Sequence, residues 1–156
     1  MAEVHLRSIT AANLEDCLAL DVAEVQRGWV SPVVRSLAEA YAIPAMVPLA
    51  VYDVAARGHE HPPEPPVGFT MYEIADGVGY VVRLLIDQRY QRRGYGRATM
   101  IEVIRRMRLH PDVEMIGTSH RCTNEPAATL YRDLGFIPWD THYAQKYPDD
   151  QFLRLG

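Results

Sequence analysis

An α/β fold of the α+β kind, with helices packed on a central sheet, is what the sequence predicts, and three observations carry the prediction. Apolar residues alternate or run together in several short stretches and recur at helical spacing in others. The resulting order is strand, two helices, three strands, helix, strand, helix and closing strands, the pattern of helices layered on a sheet. With 156 residues, 48% apolar and 23% charged, and no internal repeat, the chain reads as one globular domain over residues 1–156.

Each element has its own warrant. "VHLRSI" alternates as a half-buried strand does. "TAANLEDCLALDVAEVQ" sets Leu14, Cys17, Leu18, Val22 and Val25 on one helical face, with Thr10 or Asn13 as its cap. "GWVSPVV" breaks that pattern; Ser31 and Pro32 start a second helix that runs to about Tyr41, and Pro44 ends the run. "AMVPLAVYDV" and "VGFTMYEI" read as strands, joined by "AARGHEHPPEPP", whose prolines and polar residues make an exposed connection. Gly77 to Gly79 turns into "YVVRLLI", apolar enough to need protein on both faces and therefore central. After the next glycines, Met100, Val103, Ile104 and Met107 form one arc of an amphipathic helix, opposed by Glu102, Arg105 and Arg106. "VEMIGTS" is a further buried strand. "NEPAATLYRDLGF" has Asn124 as a cap, Pro126 in the first turn and Gly135 just past the end. A strand pair from Phe136 to the terminus closes the chain.

Composition excludes several classes. A formal net charge of -4 argues against a protein that coats nucleic-acid phosphates. No apolar run approaches the ~20 residues of a membrane helix, and the first residues lack the apolar core of a secretion signal. Cys17 and Cys122 are too few for a disulfide framework, which fits a reducing cytoplasm. His59 and His61 lie in the proline-rich connection without matching ligand spacing, so no metal is expected. Arginines crowd Arg83 to Arg108, where an anion is the natural partner.

That region contains "DQRYQRRGYGRATM", two glycines one residue apart between an apolar strand and a helix. A helix start presents unpaired N–H groups and a partial positive charge, and glycines let a ligand approach them, so the corner suits a phosphate or pyrophosphate. A dinucleotide fingerprint would need a third glycine where Thr99 stands, and a Walker A loop would need a Gly-Lys-Ser/Thr ending. A plain glycine turn remains the structural alternative.

"QRRGYG" resembles the Gln/Arg-x-x-Gly-x-Gly/Ala signature of the GNAT acetyltransferase superfamily, and "NEPAATLYRDLGF" resembles that family's Asn-x-x-Ala-x-x-Leu-Tyr-x-x-Leu-Gly-Phe segment. Both stand in the family's order, and the resemblance spans nearly the whole chain. It implies a central mixed, mostly antiparallel sheet of six to seven strands, splayed at the middle and flanked by about four helices. It also implies acetyl-CoA as co-substrate: backbone of Leu84, Leu85 and Ile86 beside the pantetheine arm, N–H groups of Gln91, Arg92, Arg93, Gly94, Tyr95 and Gly96 on the pyrophosphate, added charge from Arg92, Arg93 and Arg97, and a contact from Asn124. Asn124 serves equally as an ordinary helix cap. The resemblance places Tyr131 as the acid that protonates the leaving thiolate; the alternative is a core helix tyrosine.

The base is less defined. The family's strand glutamate is replaced by Tyr80, leaving Glu24, Glu39, Glu73 or His120 to accept a proton through water, with Glu24 preferred for its place beside the acceptor-side loop. "EVQRGWVSPVVRSLAEAYAIP" with the strands that follow looks like the bacterial spermine/spermidine or diamine acetyltransferase branch, which implies a polyamine held by Asp21, Glu24, Glu39 and Glu73. The arm "PWDTHYAQKYPDDQF" departs from that branch. Another amine (an aminoglycoside, amino acid or peptide N-terminus) and a non-catalytic acyl-CoA-binding module are the alternatives. Trp139, Tyr143 and the terminal strands offer a homodimer contact.

Overall fold

The computed structural model describes residues 1–156. Strand β1 (Val4–Ser8) is followed by the short helix α1 (Leu14–Leu18) and the longer α2 (Val33–Ala42). Strands β2 (Met46–Asp53), β3 (Gly68–Ala75) and β4 (Val78–Ile86) come next, then α3 (Tyr95–Arg108), β5 (Met115–Arg121) and α4 (Glu125–Asp133). β6 (Phe136–Pro138), the single turn α5 (Tyr143–Lys146) and β7 (Asp150–Leu155) complete the chain.

All seven strands belong to one sheet, in the order β1-β2-β3-β4-β5-β7-β6. Every adjacent pair is antiparallel except β4 with β5. The mixed, mostly antiparallel sheet expected from the sequence is therefore present, with β4 in the middle. Its apolar run follows from burial on both sides. On one face Val81 and Leu84 pack with Met100, Val103, Met107 and Tyr131 of α3 and α4. On the other, Val82 and Leu85 pack with Cys17 and Val33 of the α1 and α2 layer. No helix is long and apolar enough to cross a membrane.

Two expectations are corrected. The helix read over 10–26 stops at Leu18, and only a short 3-10 turn, Glu24–Gln26, follows. The cause is Asp87 at the end of β4: its carboxylate accepts the Asp21 N–H at 3.0 Å and draws this segment onto the sheet. Val22 is buried there, whereas Val25, assigned to the same face, is 83% exposed. The closing arm, read as strands alone, also contains the single turn α5; with it the helices number five, in line with the about four expected.

Gly68 shows how tightly β3 and β4 are fitted. A Cβ at Gly68 would lie 2.4 Å from the Leu85 carbonyl oxygen, a backbone atom in the sheet centre that has little freedom to move. Gly68→Ala is expected to lower stability by about 1–3 kcal/mol through overpacking, read as a shifted denaturant midpoint. Gly28→Ala, where no atom lies within 4 Å of the added carbon, should leave the midpoint almost unchanged.

Candidate active site

The parallel pairing of β4 with β5 is short. Val78 to Val81 face Met115 to Thr118, and there it ends. β4 continues with β3 as far as Ile86, while β5 continues with β7 as far as Arg121. The two strands part, and a cleft of about 1540 Å³ opens between them. Across the cleft wall Trp29 donates its indole N–H to the Thr123 hydroxyl at 3.1 Å, tying the α1–α2 connection to the turn after β5.

The exposed edge of β4 is a row of backbone groups without a strand beside it. The Arg83 carbonyl is turned to β3, where it accepts the Thr70 hydroxyl at 2.8 Å. Strand alternation then sends the N–H and C=O of Leu84 into the gap. Leu85 contributes a buried side chain to the α1 and α2 side. The Ile86 carbonyl is already engaged by the Gln91 side-chain amide at 2.9 Å, so the open edge is shorter than the sequence suggested.

The loop after β4 is anchored by Asp87, which is only 2% exposed. Burial alone would raise its carboxyl, but the Arg89 guanidinium and the N–H groups of Arg89 and Asp21 outweigh it and hold the group below its usual value. Beyond it, Arg92 (φ 64) and Gly94 (φ 86) adopt left-handed conformations. Such a backbone turns successive N–H groups inward as an anion nest, and a left-handed arginine costs of order 1 kcal/mol or more. The first helical bond of α3 runs from the Ala98 N–H to the Gly94 carbonyl. The N–H groups of Tyr95, Gly96 and Arg97 are thus left free at the positive end of a long helix.

Side chains of the loop divide by role. Arg92 and Arg97 line the cleft, and neither forms an ion pair with a carboxylate. Arg93 instead lies over the Tyr90 ring, 5.6 Å from its centroid, and is absent from the cleft wall. Gln91 lines the cleft with its side chain engaged inside the protein, exchanging amide hydrogen bonds with Gln26 at 2.8 and 3.0 Å. Tyr95 points its hydroxyl to Asp53 at 2.6 Å, which lowers the Asp53 carboxyl. Asn124 lines the cleft and also caps α4, its Oδ1 accepting the Ala127 N–H at 3.2 Å.

Where the strands part, the two sheet faces carry different chemistry. On the α3 and α4 face stand Tyr131 and His120, ring centroids 6.0 Å apart. Burial pushes the Tyr131 phenol up to about 12, partly offset by the Thr118 hydroxyl beside it. His120 Nδ1 lies 2.7 Å from the Arg121 carbonyl, which requires a proton on Nδ1 and leaves Nε2 as the acceptor in the neutral ring. On the α1 and α2 face Tyr80 meets Ser119, hydroxyl to hydroxyl at 2.5 Å. Burial pushes Tyr80 up to about 12 as well, against the pull of the Ser119 hydrogen bond. Glu73 is the cross-strand partner of Tyr80 and shares its face, since the flanking Tyr72 and Ile74 pack on the α3 side.

Of the carboxylates expected to grip an acceptor, Glu73 alone lines the cleft without an arginine partner. Asp21 pairs with Arg27 at 2.9 Å and lies outside the cleft wall. Glu24, the preferred base, is exposed on the 3-10 turn and does not reach the cleft. Glu39 lines it but is held by Arg83 at 2.6 Å, with Arg35 at 4.0 Å. Arg83 itself was not foreseen as a site residue. It is mostly buried on β4, and its Nε–H has no acceptor, an omission that costs about 1–3 kcal/mol when a buried donor stays unpaired. Trp139 lines the cleft, its ring against Gly117.

The model of the acetyltransferase (GNAT) family matches residues 21–136. No curated protein matches the chain. Among solved structures the chain is similar to a domain from Methanocaldococcus jannaschii DSM 2661, with TM-score 0.75, 13% identity and 99% of each chain covered. It is also similar to the PaiA N-acetyltransferase of Thermoplasma acidophilum in complex with coenzyme A, with TM-score 0.67, 12% identity and 98% of each chain covered. A third is a GNAT family acetyltransferase from Elizabethkingia anophelis with acetyl-CoA bound, at TM-score 0.64 and 13% identity, covering 98% of this chain and 97% of that one. At these identities the likeness is one of fold.

The loop geometry gives a direct test. A Cβ at Gly96 would meet nothing closer than Leu130 at 3.7 Å, so a side chain there fits the fold and projects where a pyrophosphate would approach. Gly96→Val is expected to keep its unfolding midpoint and lose CoA binding by at least ~10-fold in calorimetry. Unchanged affinity would reduce the corner to a plain turn.

Proposed function

The chain belongs to the acetyltransferase (GNAT) family and is an acyltransferase drawing on acetyl-CoA, and from that premise we propose direct transfer of the acetyl group to a primary amine in a ternary complex. The observation that carries the reading is the open edge of β4 leading into a loop of free N–H groups and unpaired arginines. An extended pantetheine arm completes such an edge as a missing strand would. The pyrophosphate is met by the nest and the helix end, with Arg92 and Arg97 adding charge-assisted bonds. No group of three or more His, Cys, Asp or Glu side chains is placed to hold a metal ion, and the proposed route calls on none.

The chemistry divides between the two faces. On the acceptor face Glu73 takes the proton that the ammonium must lose, through water, before its nitrogen attacks the thioester carbon. Glu73 thereby stands in for the base that Tyr80 displaces from β4. On the other face Tyr131 meets the departing sulfur. A phenol lifted to about 12 keeps its proton throughout the working range and donates a hydrogen bond to the thiolate as charge builds there. Free thiols titrate near ~8.5, so complete proton transfer from Tyr131 is uphill and sulfur takes its final proton with help from solvent.

A polyamine acceptor is the finer reading from the sequence, and Glu73 supports one ammonium of such a chain. The distal cations would meet Arg83 and Arg35 where carboxylates were expected, so the reading is kept here at the level of a primary amine. Release of CoA thiol from acetyl-CoA in the presence of an amine panel tests transfer against mere acyl-CoA binding.

Tyr131→Phe is expected to lower kcat by roughly 10²-fold with CoA affinity nearly unchanged. The acid must be protonated, so in the wild type its activity is lost only as pH rises through its raised value, about 12 rather than 10.0. The kcat profile should therefore show no tyrosine limb at pH 10, and a falling limb centred there would remove the buried, protonated donor.

A further inference from the structure

Charge on the acceptor face is dipolar. Glu73 stands at the parting of the strands, beside Tyr80. Arg83 faces Met71, two residues along β3 from Glu73 and so about 7 Å further along the strand. Glu39 of α2 fixes the Arg83 guanidinium at 2.6 Å and is itself approached by Arg35 at 4.0 Å. Two cations thus share one carboxylate, and the corner keeps a net positive charge.

Arg83 is also under-used. A guanidinium carries five N–H bonds. Within the protein, Nη1 donates to the Val82 carbonyl at 3.1 Å and Nη2 to Glu39, while the buried Nε–H donates to nothing. The side chain nevertheless lines the cleft. An anionic group entering there can accept from the Nη N–H bonds that the protein leaves unused, one on each nitrogen, and a planar carboxylate matches that fork.

Resting on the acetyl-transfer reading above, we infer that the acceptor is an amine that also bears a carboxylate, as an amino acid does, with its amine at Glu73 and its carboxylate at Arg83. Glu73 and the partner position of Arg83 lie two residues apart on β3, and both side chains line the same cleft, so one small molecule bearing both charges can meet the two. In the reaction the amine loses one proton toward Glu73, its nitrogen forms the new bond to the acetyl carbon, the carbon–sulfur bond breaks, and the sulfur leaves as thiolate and is protonated. The acceptor carboxylate stays ionised on Arg83 throughout and takes no part in bond making.

The test compares each of a set of amino acids with its α-carboxamide and its decarboxylated amine, with spermidine alongside, by thiol release from acetyl-CoA. The acid is expected to exceed its carboxamide and its amine by at least ~10-fold in kcat/KM, chiefly through KM, because a site built for a charged group rejects an analogue lacking it. Arg83→Met should erase that preference by raising KM for the acid far more than for its carboxamide. If Arg83→Met fails to fold, Arg83→Lys, which keeps the charge and loses the fork, should weaken the preference, and the wild-type comparison stands without either variant. Spermidine or the carboxamides matching or exceeding the acids would overturn the anionic acceptor and leave acetyl transfer intact. CoA binding without thiol release for any amine would overturn both.

Discussion

Everything in the cleft depends on β4 losing its partner halfway along. A strand in the middle of a sheet normally spends its N–H and C=O groups on both neighbours, and unpaired backbone in a buried position is costly. Here β5 leaves after Val81 and Thr118 to follow β7, so the remaining half of β4 is an edge inside the sheet rather than at its rim. Such an edge persists because β3 still holds the other side down to Ile86. Water or an extended ligand must complete it. The parting also opens a passage between the two faces of the sheet.

Asp87 keeps that edge in register with the loops around it. One buried carboxylate accepts the Asp21 N–H from the acceptor-side connection and two donors from Arg89 in the phosphate-side loop. Gln26 and Gln91 repeat the link a few ångströms on, through their paired amides. The two substrate regions are thus fastened to the same end of the same strand. Gln91 of the loop signature thus engages its side chain with Gln26 and with the Ile86 carbonyl, which holds the loop in place at the cleft wall.

Much of this was legible in the sequence, and the failures have physical causes. The strand order, the amphipathic α3, the capped α4 and the glycine corner are local patterns, and local patterns survive folding. The premature end of α1 was not legible, because the signal resides in Asp87, 66 positions from the backbone N–H it holds. Glu39 looked like a free carboxylate for the same reason, since Arg83 lies 44 positions away on β4; Asp21 did because Arg27 reaches it only where the expected helix gives way to a turn. Glu24, preferred for its place beside the acceptor-side loop, sits exposed on the 3-10 turn and outside the cleft wall, because the chain leaves the helix before reaching it. Tyr80 was seen as a vacancy where a base is expected, whereas the register shows Glu73 directly across from it. Glu73 was among the bases considered, but only the register sets it apart from the others.

The two tyrosines flanking the parting have a consequence for the protein's tolerance of alkali. Both phenols are lifted from 10.0 to about 12 by burial. A raised value means that the folded chain holds those protons more tightly than the unfolded chain does. The associated stability is fully present below the unfolded value near 10 and is lost as pH climbs toward 12. A two-unit lift corresponds to about 3 kcal/mol per phenol as an upper estimate, a large share of the ~5–15 kcal/mol that holds a typical domain together. Denaturant midpoints should therefore fall steeply above pH 10. In strongly basic solution the fold and the hydrogen-bond donor thus weaken over the same interval, because one set of buried protons supports both.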